Sequence, residues 1–319
     1  MNMHNNESRG RGLNVYAAGP RSLMRQLVTR FEADTGIHVN LVQAPTGRIL
    51  ARLEAEADSP RADVFVSASW DLAEALERRG WLLPHESPNA TTVPDAFRTP
   101  TYVAQAMSAL AIVWNTASGT PEPTDWADLA APVWENRLTM PDPALSGTSV
   151  DLLSGLVEAL PGEAWALFAQ LRRNGMVVAG SNDQALAPVL RGDRAAVFGS
   201  VDYVAWGSLA QGANIKVIFP RSGTVMVPRP MMILKSTRQP DHARAFIDHL
   251  LSDAGQRAAA DAWLIPARQE LPSRRPPVSA IKLLRHDATP THSRDQILAR
   301  FGEIFSAPAI EGSAWGGHV

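Results

Sequence analysis

The sequence predicts an α/β protein with parallel strands joined by crossover helices, and three observations carry that prediction. Within the first eighty residues, short apolar runs alternate three times with stretches of helical spacing. The turns between them hold only small or hydroxyl-bearing residues: Ala18-Gly19, Thr46-Gly47 and Ser67-Ala68-Ser69. A second block, residues 107–227, resumes the alternation and contains a similar junction, Met140-Pro141-Asp142-Pro143-Ala144-Leu145-Ser146-Gly147-Thr148-Ser149.

Taken in order, residues 13–18 form a short strand that Gly19-Pro20 breaks. Leu23, Met24, Leu27, Val28 and Phe31 then recur at helical spacing, and Asp34-Thr35-Gly36 ends that helix. Residues 37–42 make a second strand, and Ile49, Leu50 and Leu53 share one face of a second helix. Residues 62–66 are a compact third strand, followed by a helix through Leu72, Ala73 and Leu76 to Gly80. Residues 107–114 are a long apolar strand, 126–129 a short helix and 138–140 a strand. Helices are expected at 150–160, 163–174 and 184–191, a buried strand at 195–199, and further strands at 215–220 and 225–234. The chain returns to helices at 241–251, 253–263 and about 293–305.

Composition narrows the function. With 319 residues, 45% of them apolar, the chain can bury two cores of ordinary size. A net charge of -2 leaves no surplus of cations for phosphate backbones, so no nucleic-acid partner is expected. The absence of cysteine removes disulfides, thiolate metal sites and a thiol nucleophile. No apolar run is long enough to span a bilayer, and residues 1–12 read as a polar, disordered leader without the apolar centre of a secretory signal.

In an open α/β sheet the carboxyl ends of the strands line a crevice where ligands bind. The first amides of a helix lack intrahelical partners and sit at the positive end of its dipole. Residues 146–149 offer such amides, three hydroxyls and a glycine that admits a ligand close to the backbone, which suits an oxyanion. One such run alone is better explained as a capped helix that binds nothing. Four small-residue junctions on strand ends favour binding, and the candidate site is Ala18, Gly19, Thr46, Gly47, Ser67, Ser69, Ser146, Gly147, Thr148, Asp202 and Tyr203.

The runs 14–19, 31–39, 62–65, 140–149, 223–228 and 245–256 together resemble a bacterial extracellular solute-binding protein of an ABC importer. The similarity is to the branch that includes ferric-iron-, 2-aminoethylphosphonate- and sugar-phosphate-binding proteins. It implies a type II periplasmic-binding fold: two α/β lobes of mixed sheet with helices on both faces, two hinge crossings, and closure over the ligand. The crossings are expected near 107–113 and 227–234. Lobe 1 would then be residues 13–108 plus 228–272, and lobe 2 residues 109–227 plus 273–319. The resemblance further implies a monomeric, periplasmic binder that is not an enzyme, needs no cofactor and docks on a membrane permease.

Iron-binding members carry adjacent tyrosines in the turn that here reads Asp202-Tyr203-Val204, so one phenolate is missing, and ferric iron wants several anionic oxygens. Uncharged turns at helix starts favour a phosphonate or phosphate instead, with 2-aminoethylphosphonate preferred and sugar phosphate or iron as alternatives. Asp202 is open between pairing with the ligand's ammonium and capping a helix. Tyr203 is open between touching ligand and filling the core. Arg21, Arg48 and Arg221 are candidate phosphate forks, although arginines more often serve the surface.

Overall fold

A computed structural model describes residues 12–268, 270–276, 278–284 and 292–306. The expected leader, apart from Gly12, lies outside the described residues. Strand β1 (Leu13–Ala17) leads to helix α1 (Arg21–Thr35), β2 (Val39–Gln43), α2 (Thr46–Ala55), β3 (Val64–Val66), α3 (Trp70–Arg78) and the short β4 (Leu82–Leu83). A long strand, β5 (Tyr102–Asn115), then carries the chain away. Beyond it lie β6 (Leu138–Met140), α4 (Gly147–Ala159), α5 (Pro161–Arg173), β7 (Val177–Val178), α6 (Asn182–Arg191), β8 (Ala196–Val201), α7 (Asp202–Ala210) and β9 (Ile215–Ile218). Strand β10 (Met226–Leu234) returns, followed by α8 (Pro240–Leu250), α9 (Asp253–Asp261), β11 (Ile265–Pro266) and finally α10 (Arg294–Ser306).

The first lobe forms because β1 pairs in parallel with both β2 and β3, so its residues need apolar neighbours on both faces. Leu13, Val15 and Ala17 face one cluster with Leu23, Met24, Leu27 and Phe31 of α1, while Tyr16 faces the other with Ile49 and Leu53 of α2. In the second lobe β8, parallel to β6 and antiparallel to β5, is likewise covered on both faces. There Phe198 and Val201 meet Leu152, Leu156 and Phe168 on one face, and Val197 meets Leu186 and Val189 on the other. Helix α10 packs on α4 and α5.

Two strands join the lobes. β5 pairs with β10 and β11 over its first part and with β8 and β9 over its second. It is longer than the apolar run 107–114 implies, because it begins at Tyr102 and includes the polar Gln105, which is buried. β10 crosses beside it, antiparallel, with a register shift between Arg229 and Pro230. Pro228 and Pro230 have no N–H for the ladder, so a strand with this sequence must break its pairing, and a bulge re-aims the side chain beside it. That side chain is Arg229. No helix among the described residues is long and apolar enough to cross a membrane.

Candidate functional site

Between the lobes lies a cavity of about 1060 Å³. Its wall is built largely from helix starts: Pro20-Arg21 of α1, Pro45-Thr46 of α2, Ser146-Gly147 of α4, Ser181-Asn182 of α6, and Val201 with Tyr203 at the start of α7. The sequence sets up this convergence, because each helix follows a strand end or a short turn and its first amides therefore face the gap. Side chains cap α4 and α6, through Ser146 and Ser181. The cap positions of α1, α2 and α7 are Pro20, Pro45 and Val201, and none makes a side-chain cap hydrogen bond. The starts of α1 and α2 thus leave amides without a side-chain cap at the cavity, where the dipoles favour negative charge, whereas at α7 the Asp202 carboxylate accepts from the Tyr203 N–H.

The second lobe's wall is prewired. Ser146 Oγ and Thr148 Oγ1 lie 3.0 Å apart, and the Asn182 amide donates to both, at 3.1 and 3.3 Å. Asn182 Oδ1 in turn accepts from the backbone N–H of Val201 at 3.4 Å. The hydroxyls are held in place before any ligand arrives, which lowers the entropic cost of binding.

On the floor stands Arg229, only 2% exposed. One guanidinium nitrogen donates to the carbonyl oxygen of Ala18, and the plane lies 5.9 Å from the Tyr203 ring centre. Nε has no hydrogen-bond partner, and no carboxylate pairs with this arginine among the described residues. Burial pulls its pKa below the usual arginine value, partly offset by Tyr203, but an arginine keeps its proton in a protein. Burial likewise pushes the Tyr203 phenol up. The approach of Arg229 explains Gly19: its φ is +148°, and a side chain there would meet the guanidinium at 2.1 Å.

Of the residues expected from the sequence, Ala18, Gly19, Thr46, Ser146, Gly147, Thr148 and Tyr203 line the cavity. Gly47, Ser67, Ser69 and Asp202 do not. Ser67 Oγ is used by its own turn, donating to the Ser69 carbonyl at 3.2 Å and accepting from the Ser69 N–H at 3.1 Å, while Ser69 Oγ donates to Asp71. Only Ala68 of that turn reaches the wall. Of the two readings open for Asp202, the ammonium partner is the one corrected: its carboxylate is fully buried, ion-paired to Arg275, and accepts from the Ala109 N–H at 3.1 Å and from the Tyr203 N–H at the start of α7. The carboxylates on the wall are Asp183 and Asp261. Arg21 lines the cavity with Arg25, whereas Arg48 and Arg221 do not. Sequence reasoning missed Arg229 and Asn182. For Arg229 the signal was a charged residue between two prolines inside an otherwise apolar strand, Met226-Val227-Pro228-Arg229-Pro230-Met231.

Two lobes, a shared sheet crossing and a preformed polar gap define a hinged, cleft-type ligand-binding protein rather than an open surface binder. Sequence comparison agrees: the profile of the bacterial extracellular solute-binding proteins matches residues 13–263, and the chain belongs to that family. The chain is 28% identical over 245 residues to the phosphoglycerate transport regulatory protein PgtC of Salmonella typhimurium, covering 74% of this chain and 60% of that one. It is 23% identical over 249 residues to a putative 2-aminoethylphosphonate-binding periplasmic protein of the same organism, covering 76% and 73%. The major ferric iron-binding protein of Neisseria meningitidis is 26% identical over 263 residues, 77% of each chain. In three dimensions the chain superimposes on the periplasmic binding protein AfuA of Actinobacillus pleuropneumoniae with a TM-score of 0.84 at 20% identity, over 93% and 99% of the two chains. The expected type II periplasmic-binding fold is therefore the observed one.

Proposed function

We propose that this solute-binding protein captures a small phosphonate or organophosphate anion in its cleft, 2-aminoethylphosphonate first among them, on the periplasmic side, and delivers it to an ABC permease. The observation that carries the reading is Arg229, a buried cation with no acidic partner among the described residues, beside the uncapped starts of α1 and α2. An unpaired buried charge is costly, and a ligand that brings two or three anionic oxygens removes the cost on binding. The amides of α1 and α2 and the hydroxyls of Ser146 and Thr148 would share the remaining oxygens. An ammonium on the far end of the ligand would face Asp183 or Asp261, the role that Asp202 cannot fill.

The relatives that carry phosphoglycerate and aminophosphonate in their names support this class of ligand. Ferric iron fits less well. Among the described residues no three His, Asp or Glu side chains gather into a metal-holding group, and Tyr203 is the single phenol on the wall. Titration calorimetry against 2-aminoethylphosphonate, phosphoglycerate, a hexose phosphate, inorganic phosphate and ferric citrate tests the reading. Binding of at least one phosphorus oxyanion is expected, and binding of ferric citrate alone would overturn it.

A further inference from the structure

Beside the cavity the two lobes also touch along a seam. Gly147, the first residue of α4, packs so closely on the Ser67–Ser69 turn of the other lobe that a Cβ on it would lie 3.1 Å from the Ser69 Cβ. One helical turn further along α4, on the same face, stands Asp151. Its Oδ2 is buried and has no hydrogen-bond partner. Across the seam, in the first turn of α3, stands Asp71, which accepts from Ser69 Oγ and lies 3.3 Å from Arg294 of α10. Arg294 belongs to the helix that packs on α4 and α5, so its pair with Asp71 ties the second lobe to the first.

Two carboxylates thus stand beside the seam: Asp71 is paired with Arg294, and Asp151 has a buried oxygen that nothing satisfies. We infer that Asp151 is a proton-operated latch: the lobes close over it with its carboxyl protonated, and its ionisation favours the open form. The proton comes from solvent and resides on the Asp151 carboxyl, so that Asp71 and Arg294 form a neutral pair beside a neutral acid.

The sign follows from the surroundings. Burial, then the charge of Asp71, hold the Asp151 carboxyl well above the usual carboxylate range, and Arg294 opposes them. Among the described residues, these are the charged groups that act on it. Opening the seam exposes Asp151 to water and returns it toward an ordinary value. Closed protein therefore binds a proton that open protein releases, and closing is favoured as pH falls through the raised pKa. For a single linked proton the closed-to-open ratio changes by at most about tenfold per pH unit.

The test needs no ligand, so its result is independent of whether the phosphonate reading holds. The native chain has no cysteine, which makes a double variant, Arg78→Cys on α3 and Glu163→Cys on α5, a clean pair of exposed spin-label sites on the two lobes. Inter-label distances are measured by pulsed EPR in the full chain from pH 5 to 9. The expected result is a short distance that dominates at low pH and gives way to a longer one as pH rises. Asp151→Asn, neutral throughout, is expected to hold the short distance at every pH. Should that variant fold poorly, Arg294→Gln is expected to move the midpoint to higher pH, because the opposing cation is gone. A distance distribution that ignores pH in the native sequence, a pH response that survives Asp151→Asn, or a midpoint that does not rise in Arg294→Gln would each overturn the latch.

Discussion

Among the described residues two arginines are buried within the fold, and they are buried for opposite reasons. Arg275, 6% exposed, is matched: it pairs with Asp202 and donates to the Trp263 carbonyl at 3.2 Å. Asp202 completes the arrangement by accepting from Ala109 on the crossing strand β5. Arg229, 2% exposed, is unmatched: it donates to the Ala18 carbonyl, and no carboxylate among the described residues pairs with it, although the Nε of each arginine lacks a partner. The first arginine is a tie between the C-terminal segment, α7 and a hinge strand. The second is a cation waiting for a counter-ion. Burial alone does not separate structure from function here, and what separates them is whether the chain supplies the opposite charge.

The sharpest way to break this comparison is to remove each arginine in turn. Arg275→Met leaves the Asp202 carboxylate buried without its partner, and a loss of about 3–5 kcal/mol in chemical denaturation is expected. Arg229→Met removes a charge that nothing pairs, so stability is expected to hold or rise while phosphonate affinity falls at least about a hundredfold, equivalent to about 3 kcal/mol. If the two variants exchanged phenotypes, with Arg229→Met unfolding and Arg275→Met losing only ligand, the assignment of roles would be reversed.

A smaller effect is expected at the seam. Gly147→Ala places a methyl 3.1 Å from the Ser69 Cβ of the other lobe, tighter than an ordinary contact. Overpacking of this kind costs about 1–3 kcal/mol, and here it should appear as weaker ligand binding with little change in denaturation of the free protein. Ser146→Ala is expected to cost about 1 kcal/mol of stability through loss of the α4 cap. Because Ser146 Oγ also accepts from Asn182, the same variant should loosen the cavity wall and weaken binding as well.

Much of the fold was legible because the lobes rest on periodicity. The α1 face predicted by Leu23, Met24, Leu27, Val28 and Phe31 is the buried face. The opening strand-turn-helix units do lie on parallel strands, β1 with β2 and β3. The site was legible only in part. Small-residue turns gave the positions where helices begin, and seven of the eleven expected residues reach the wall. Which way each side chain points within a turn was not legible, so Ser67 and Ser69, spent on their own turn and on Asp71, were counted with Ala68, which lines the gap. The partner of Asp202 stands 73 residues further on, and no local pattern announces so distant a pair. Arg229 was hidden for another reason. A run of prolines and apolar residues reads as a strand, and that its bulge would turn the one charge inward depends on pairing with β5 and β3.

The smallest effect expected concerns the far end of the ligand, and it sharpens the comparison most. If Arg229 provides the charge for the anionic end, ethylphosphonate and 2-aminoethylphosphonate should share that contribution, since both carry the same head. Any preference for the amino compound must come from an acidic group elsewhere on the wall. Asp183 is the better placed of the two available: it lies in the first turn of α6 and its charge acts on the Tyr203 phenol beside Arg229, whereas Asp261 has Arg274 at 3.7 Å. Asp183 is exposed, so its pairing with an ammonium is worth about 0.2–1 kcal/mol. Asp183→Asn should therefore narrow the affinity ratio of the two phosphonates by about fivefold at most and leave ethylphosphonate binding nearly unchanged. Calorimetry with both ligands on both proteins gives the ratio directly. A ratio that survives Asp183→Asn but falls in Asp261→Asn would move the ammonium to the α9 side of the cleft. An equal loss for both ligands would show that Asp183 shapes the wall rather than selecting the amine.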